Sequence, residues 1–193
     1  MNKFPPNSLR IAVTGHRFIP DDTRIGDSIR LVLSKIISTH KKEDETILYS
    51  ALAEGADQLA AKIALTFDPL KLHVPLPMAV EEYLTDFSSD AGRQGFTDLL
   101  DHAEKIISLA KQPSHAAAYR ALGKYLVTHG DILLAVWNGE YNRSIGGTGE
   151  VVKAALTIGM PIYWIYSPNL QPDEKNSLNT IKTIGEIEKL NSN

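Results

Sequence analysis

The chain of 193 residues carries 43% hydrophobic and 22% charged side chains, the balance expected of a single globular domain, residues 1–193, with a substantial core. A formal net charge of −3 disfavours nucleic-acid binding by bulk charge, although it leaves room for a local basic groove, and the lack of cysteine excludes disulfides and thiol catalysis. No apolar run is long enough to cross a bilayer and the opening Met1-Asn2-Lys3-Phe4-Pro5-Pro6 lacks the apolar centre of a secretion signal, so a cytoplasmic location without membrane contact is expected.

Residues Leu9 to Thr14 read as a first strand, halted by Gly15 and followed by His16-Arg17. A helix is expected from the Asp21-Asp22-Thr23 cap region through Ile25, Ile29, Val32, Leu33 and Ile36, whose spacing forms one apolar face. Thr46 to Ser50 reads as a second strand, leading through Glu54 and Gly55 into an alanine-rich helix from Asp57. Leu70 to Leu76 is a third strand. The stretch from Met78 to Gly95, with Tyr83, Asp86 and Phe87, is long for a connector: either a functional loop or an excursion with a short helix of its own. A helix around Phe96 to Ala103, a fourth strand from Lys105 to Leu109 and a helix from His115 to His129 follow.

Ile132 to Trp137 is a continuously apolar run of the kind a buried parallel strand requires. Gly146-Gly147-Thr148-Gly149-Glu150 comes after it and precedes a helical pattern through Val151, Val152, Ala155 and Ile158 that stops at Gly159. Strand, glycine loop and helix in this order suit a phosphate, because glycines let the backbone approach a ligand and the first N–H groups of a helix favour an anion. The competing reading is a turn that only connects. Pro161 to Tyr166 is a sixth strand, and beyond it, in the tail 167–193, Leu178, Ile181, Ile184, Ile187 and Leu190 fall three apart, predicting a short docked helix.

Strands alternating with helices predict an α/β fold, a Rossmann-like three-layer α/β/α domain with a mostly parallel sheet of about six strands and a core over residues 9–166. In such sheets ligands bind beyond the carboxyl ends of the strands, where the strand order reverses. The loops after strands one, two and five should therefore converge. Arg17 would pair with a phosphate or carboxylate there, or else lie on the surface. Asp57 would cap its helix or accept from a ribose hydroxyl, and Thr148 would cap or donate to a phosphate. Asn138 and Gly139 end the fifth strand, with Glu140 to Ser144 as a flap. Arg120 and Lys124, one turn apart, form a solvated face or a phosphate clamp. Glu150 suits the field of its helix, and as a general base it would need a raised pKa and a substrate within reach. The six histidines show no metal-ligand spacing, so neither a metal nor a resident cofactor is expected beyond a nucleotide-type ligand.

Three pieces together, Val13-Thr14-Gly15-His16-Arg17, Ser50-Ala51-Leu52-Ala53-Glu54-Gly55-Ala56-Asp57 and Gly146-Gly147-Thr148-Gly149-Glu150, resemble the SLOG superfamily, which unites the DNA-processing protein DprA, the YpsA-like proteins and the LOG phosphoribohydrolases. The resemblance implies a Rossmann-like domain that holds a nucleotide or nucleotide-derived ligand, with Gly15, His16, Arg17, Glu54, Gly55, Asp57, Arg120, Asn138, Gly139 and Gly146 to Gly149 around it. The chain departs from the hydrolase pattern, because Glu150 stands at the threonine position and Lys153 at that of the catalytic glutamate. Binding or sensing is therefore expected ahead of nucleoside-monophosphate hydrolysis through Glu150, and both ahead of a DprA-like grip on single-stranded DNA. Related domains often pair, so a homodimer is expected.

Overall fold

Side-chain alternation along the first strand, β1 (Leu9–Gly15), already separates the layers: Ile11 and Val13 face one apolar cluster and Ala12 the other. The structure, a computed structural model, describes residues 8–39, 45–141, 146–169 and 182–191. After β1 come α1 (Asp22–Ser38), β2 (Thr46–Tyr49), α2 (Ala56–Ala64), β3 (Leu70–Leu76), α3 (Val80–Leu84), α4 (Asp90–Leu100), β4 (Lys105–Ser108) and α5 (His115–His129). The chain continues through β5 (Ile132–Trp137), α6 (Thr148–Thr157), β6 (Ile162–Tyr166) and β7 (Ile187–Leu190).

The strands form one sheet in the order β4-β3-β2-β1-β5-β6-β7, all neighbours parallel except β7, which runs antiparallel to β6. The chain first winds outward from β1 to β4, placing α1, α2 and α4 on one face around Ile29, Leu33, Ala60 and Phe96. It then crosses back to β5, and α5 and α6 cover the opposite face around Leu126, Val152 and Ala155. Right-handed crossovers leave no other choice, since reversing the direction of winding moves the helices to the other side. The predicted α/β class with a mostly parallel sheet and helices on both faces is what the structure has.

Local chemistry accounts for the helix starts. Asp21 accepts from the Arg24 N–H at 2.9 Å, and the Ser89 and Ser114 hydroxyls accept from Gly92 and Ala117. The Ser89 cap starts α4 at Asp90, earlier than the apolar pattern from Phe96 indicates, and of the two readings of the stretch from Met78 to Gly95 the one with a short helix holds, in α3.

The tail corrects the expected helix. Leu178 and Ile181 lie outside the described residues, but Ile187 and Leu190 belong to β7 and pair with Ile165 and Ile162. A spacing of three is helical only where one face is buried. Here Ile187 packs on the α1–α2 side and Leu190 on the α5–α6 side, as an odd spacing requires in a strand covered on both faces. Among the described residues no helix is long and apolar enough to cross a membrane.

Candidate functional site

The strand order reverses between β1 and β5, so the connections leaving their carboxyl ends diverge to opposite faces and open a crevice. A cavity of about 330 Å³ occupies it. Its walls come from Gly15, His16, Arg17 and Phe18 at and after the end of β1, Ala51, Ala53 and Asp57 beyond β2, Trp137 and Glu140 at and after the end of β5, and Gly146 to Gly149 around the start of α6. Tyr83 of α3 and Tyr119 of α5 close it from the side.

His16 ties the three connections together. Its N–H donates to the Val136 carbonyl at 3.0 Å and its own carbonyl accepts from Ala56 at 3.1 Å. Its ring Nε2 accepts from the Asn138 N–H at 3.1 Å, which leaves the ring proton on Nδ1. Burial lowers its pKa, against the opposing influence of Asn138 and Glu140, so the ring is neutral at pH 7. Gly55 lets the second connection come this close: its φ is +81°, and a Cβ there would lie 2.2 Å from the Arg17 carbonyl oxygen.

Arg17 is partly buried, and its guanidinium donates to the Asp86 carbonyl at 2.6 Å and the Tyr119 hydroxyl at 2.9 Å. Tyr119 in turn donates to the Asp86 carboxylate at 2.6 Å. No carboxylate among the described residues lies within ion-pair distance of Arg17, so its charge is aimed but not neutralised by direct pairing.

Asp57 is 6% exposed in the cavity wall. Burial lifts its pKa to about 7, although Arg17 and the N–H groups of Ala53 and Ala51 pull it down. It is not the helix cap: Gly55 holds that position and Asp57 is the second residue of α2.

At the start of α6 the cap position belongs to Gly147, with no side chain bonded to it, and Thr148 is the first helical residue instead of a capping one. Among the described residues no acceptor engages the N–H groups of Thr148 and Gly149. Glu150 holds the loop in place: Oε2 accepts from the Gly146 N–H at 2.6 Å and Oε1 from Arg120 Nε at 2.8 Å. The Gly146 hydrogen bond keeps its carboxylate below the usual range. A general base needs the opposite shift, and Glu150 anchors the loop from outside the cavity lining.

Other expected ligand residues are also engaged elsewhere. Arg120 is held by Glu150, on the solvent side of the loop. Glu54 accepts from the N–H and hydroxyl groups of Ser88 and Ser89 at 2.7 to 3.0 Å, pinning α4 to the α2 connection. The Asn138 side chain exchanges hydrogen bonds with Glu140, and Gly139 rests against Trp164. Of the proposed flap, Glu140 and Tyr141 are described, and 142–144 lie outside the described residues. Sequence reasoning missed Tyr83, Asp86, Tyr119 and Trp137 as parts of the site. The one signal for the first two was an unusually long stretch between β3 and β4 carrying aromatic and acidic groups. Among the described residues no group of three or more His, Asp or Glu is placed to hold a metal ion. Neither a family model nor a curated protein matches this chain.

Proposed function

We propose that the protein binds the phosphate of a nucleotide or nucleotide-derived molecule in the crevice between β1 and β5, as a binding or sensing domain. The observation that carries this reading is the combination, in one cavity, of a partly buried Arg17 that has no carboxylate partner among the described residues and the N-terminal turn of α6. Both favour a negatively charged oxygen, the first by charge and the second by its aligned N–H groups. The Thr148 hydroxyl, in the same wall, supplies a further donor. A volume of about 330 Å³ is at the lower end for small-molecule pockets and suits a mononucleotide better than a dinucleotide. The engaged Glu150 supports binding ahead of hydrolysis.

Thermal-shift and calorimetric titration with AMP, cyclic nucleotides, ADP-ribose and NAD test the proposal. A ligand at a hundred times its Kd stabilises by about 2.7 kcal/mol, which for a chain of this size raises Tm by about 5 to 10 °C. Arg17→Met should remove most of the shift. No stabilisation of the wild type by any phosphate-bearing ligand refutes the proposal.

A further inference from the structure

The phosphate reading leaves two groups in the cavity wall without a task. Asp57 presents a carboxyl group that is 6% exposed, and Tyr83 is fully buried with a hydroxyl that has no hydrogen-bond partner among the described residues. Both line the cavity that Arg17 and the start of α6 line. We propose that Asp57 and Tyr83 form a subsite for the paired hydroxyls of a ribose-type sugar, so that the pocket selects a ribonucleotide over its deoxy counterpart; this rests on the phosphate reading above.

The chemistry of the two groups narrows the ligand. An ionised carboxylate only accepts, with roughly four acceptor positions. It repels a phosphate and takes a neutral donor. Tyr83 brings a hydroxyl that donates or accepts. Adjacent alcohols match this pair, since each both donates and accepts: one donates to Asp57 while its neighbour engages Tyr83. Position points the same way. Arg17 acts on both Asp57 and Tyr83, and Asp57 acts on Tyr83, so this end of the cavity adjoins the cation assigned to the phosphate. In a nucleotide the sugar is what adjoins the phosphate, and the base lies beyond it.

The ionisable groups around this end are few. Arg17 faces Asp57 from the β1 connection and Tyr83 from α3, while Tyr119 of α5 and Asp86 act on the same cluster. His16, in the same wall, is neutral at pH 7. Since the ionised Asp57 carboxylate accepts from a hydroxyl more strongly than the protonated acid does, preference for the ribose should be strongest above about pH 7 and weaken below it.

Calorimetry with AMP, 2′-deoxy-AMP and 3′-deoxy-AMP across pH 5.5 to 8.5 tests this, because the three share one phosphate whose own titration cancels in the ratio. At pH 8 the loss of either hydroxyl should weaken binding about tenfold. Asp57→Asn should flatten that ratio while phosphate binding persists, and Tyr83→Phe should reduce it without lowering Tm. A wild-type ratio near one, or one that does not change with pH, overturns the subsite even where a variant fails to fold. An unchanged ratio in a folded Asp57→Asn does the same. If AMP and its deoxy analogues all fail to bind along with every other phosphate ligand, the phosphate reading falls and takes the subsite with it; if they bind equally, only the subsite falls.

Discussion

At Asp57 and Glu54, three residues apart, burial acts on two carboxyl groups with opposite results. Asp57 faces a cavity with little to compensate it, and its pKa rises to about 7. The unfolded chain titrates such a group near 3.9, so the folded protein holds the proton more tightly. The contribution of Asp57 to stability is therefore most favourable below about pH 4, falls as pH rises, and carries its full penalty above about pH 7. Asp57→Asn should stabilise the ligand-free protein at pH 8 by on the order of 4 kcal/mol at most, read as a raised Tm, and leave the Tm nearly unchanged at pH 4. A variant less stable than wild type at pH 8 would contradict this. Glu54 works the other way. Burial alone would raise its pKa, but hydrogen bonds from Ser88 and Ser89 outweigh it and hold the carboxylate below the usual range. Its contribution is present above about pH 4.5 and lost as pH falls through its folded pKa. Glu54→Gln should destabilise by about 1 to 3 kcal/mol at neutral pH and by much less near pH 3, measured by urea unfolding at both.

The start of α6 is positioned by a close contact as much as by its own hydrogen bonds. Gly146 has φ +77°, and a Cβ there would stand 2.5 Å from the Tyr119 Cβ and 2.9 Å from the Arg120 backbone nitrogen. Gly146→Ala should therefore lower stability by about 1 to 3 kcal/mol and weaken any phosphate ligand, because α6 must move away from α5 to admit the methyl group. An unaltered urea midpoint would show that the contact gives way freely. Glu150→Gln separates anchoring from chemistry at the same element. It keeps the shape of the side chain but loses the charge that Arg120 and the Gly146 N–H meet. The expected result is a few-fold loss of ligand affinity with no change in the identity of the bound molecule.

For the whole molecule, the two edges of the sheet are unlike. On one side β4 is short and largely exposed, with Ile106 50% exposed beside Lys105. On the other, the parallel array would end at β6, a strand of Ile162, Tyr163, Trp164, Ile165 and Tyr166, if β7 did not pair with it. An apolar strand left with unpaired N–H and C=O groups is a template for association. A chain ended at Asn169 should show raised light scattering and a lower Tm, with the crevice between β1 and β5 still able to bind ligand, since β7 lines none of it. Loss of binding without loss of folding would mean that β7 shapes the site from a distance.

Periodicity and turn chemistry alone determined the α/β class, the alternation of strands and helices from β1 to β6 and the meeting of three connections, because parallel strands demand crossovers and these place their loops at one edge. They also determined that Arg17, Asp57 and the Gly146–Gly149 loop belong together, since those residues lie on the connections that leave the carboxyl ends of β1, β2 and β5. Which side of each loop faces the ligand depended on contacts across long stretches of chain. Glu150 turned to Gly146 and Arg120, Glu54 to Ser88 and Ser89, and Tyr83 arrived from a segment whose path no local pattern describes. The tail became a strand for the same reason: a spacing of three is ambiguous until the neighbouring edge of β6 supplies partners for the backbone, and only the assembled sheet has that edge.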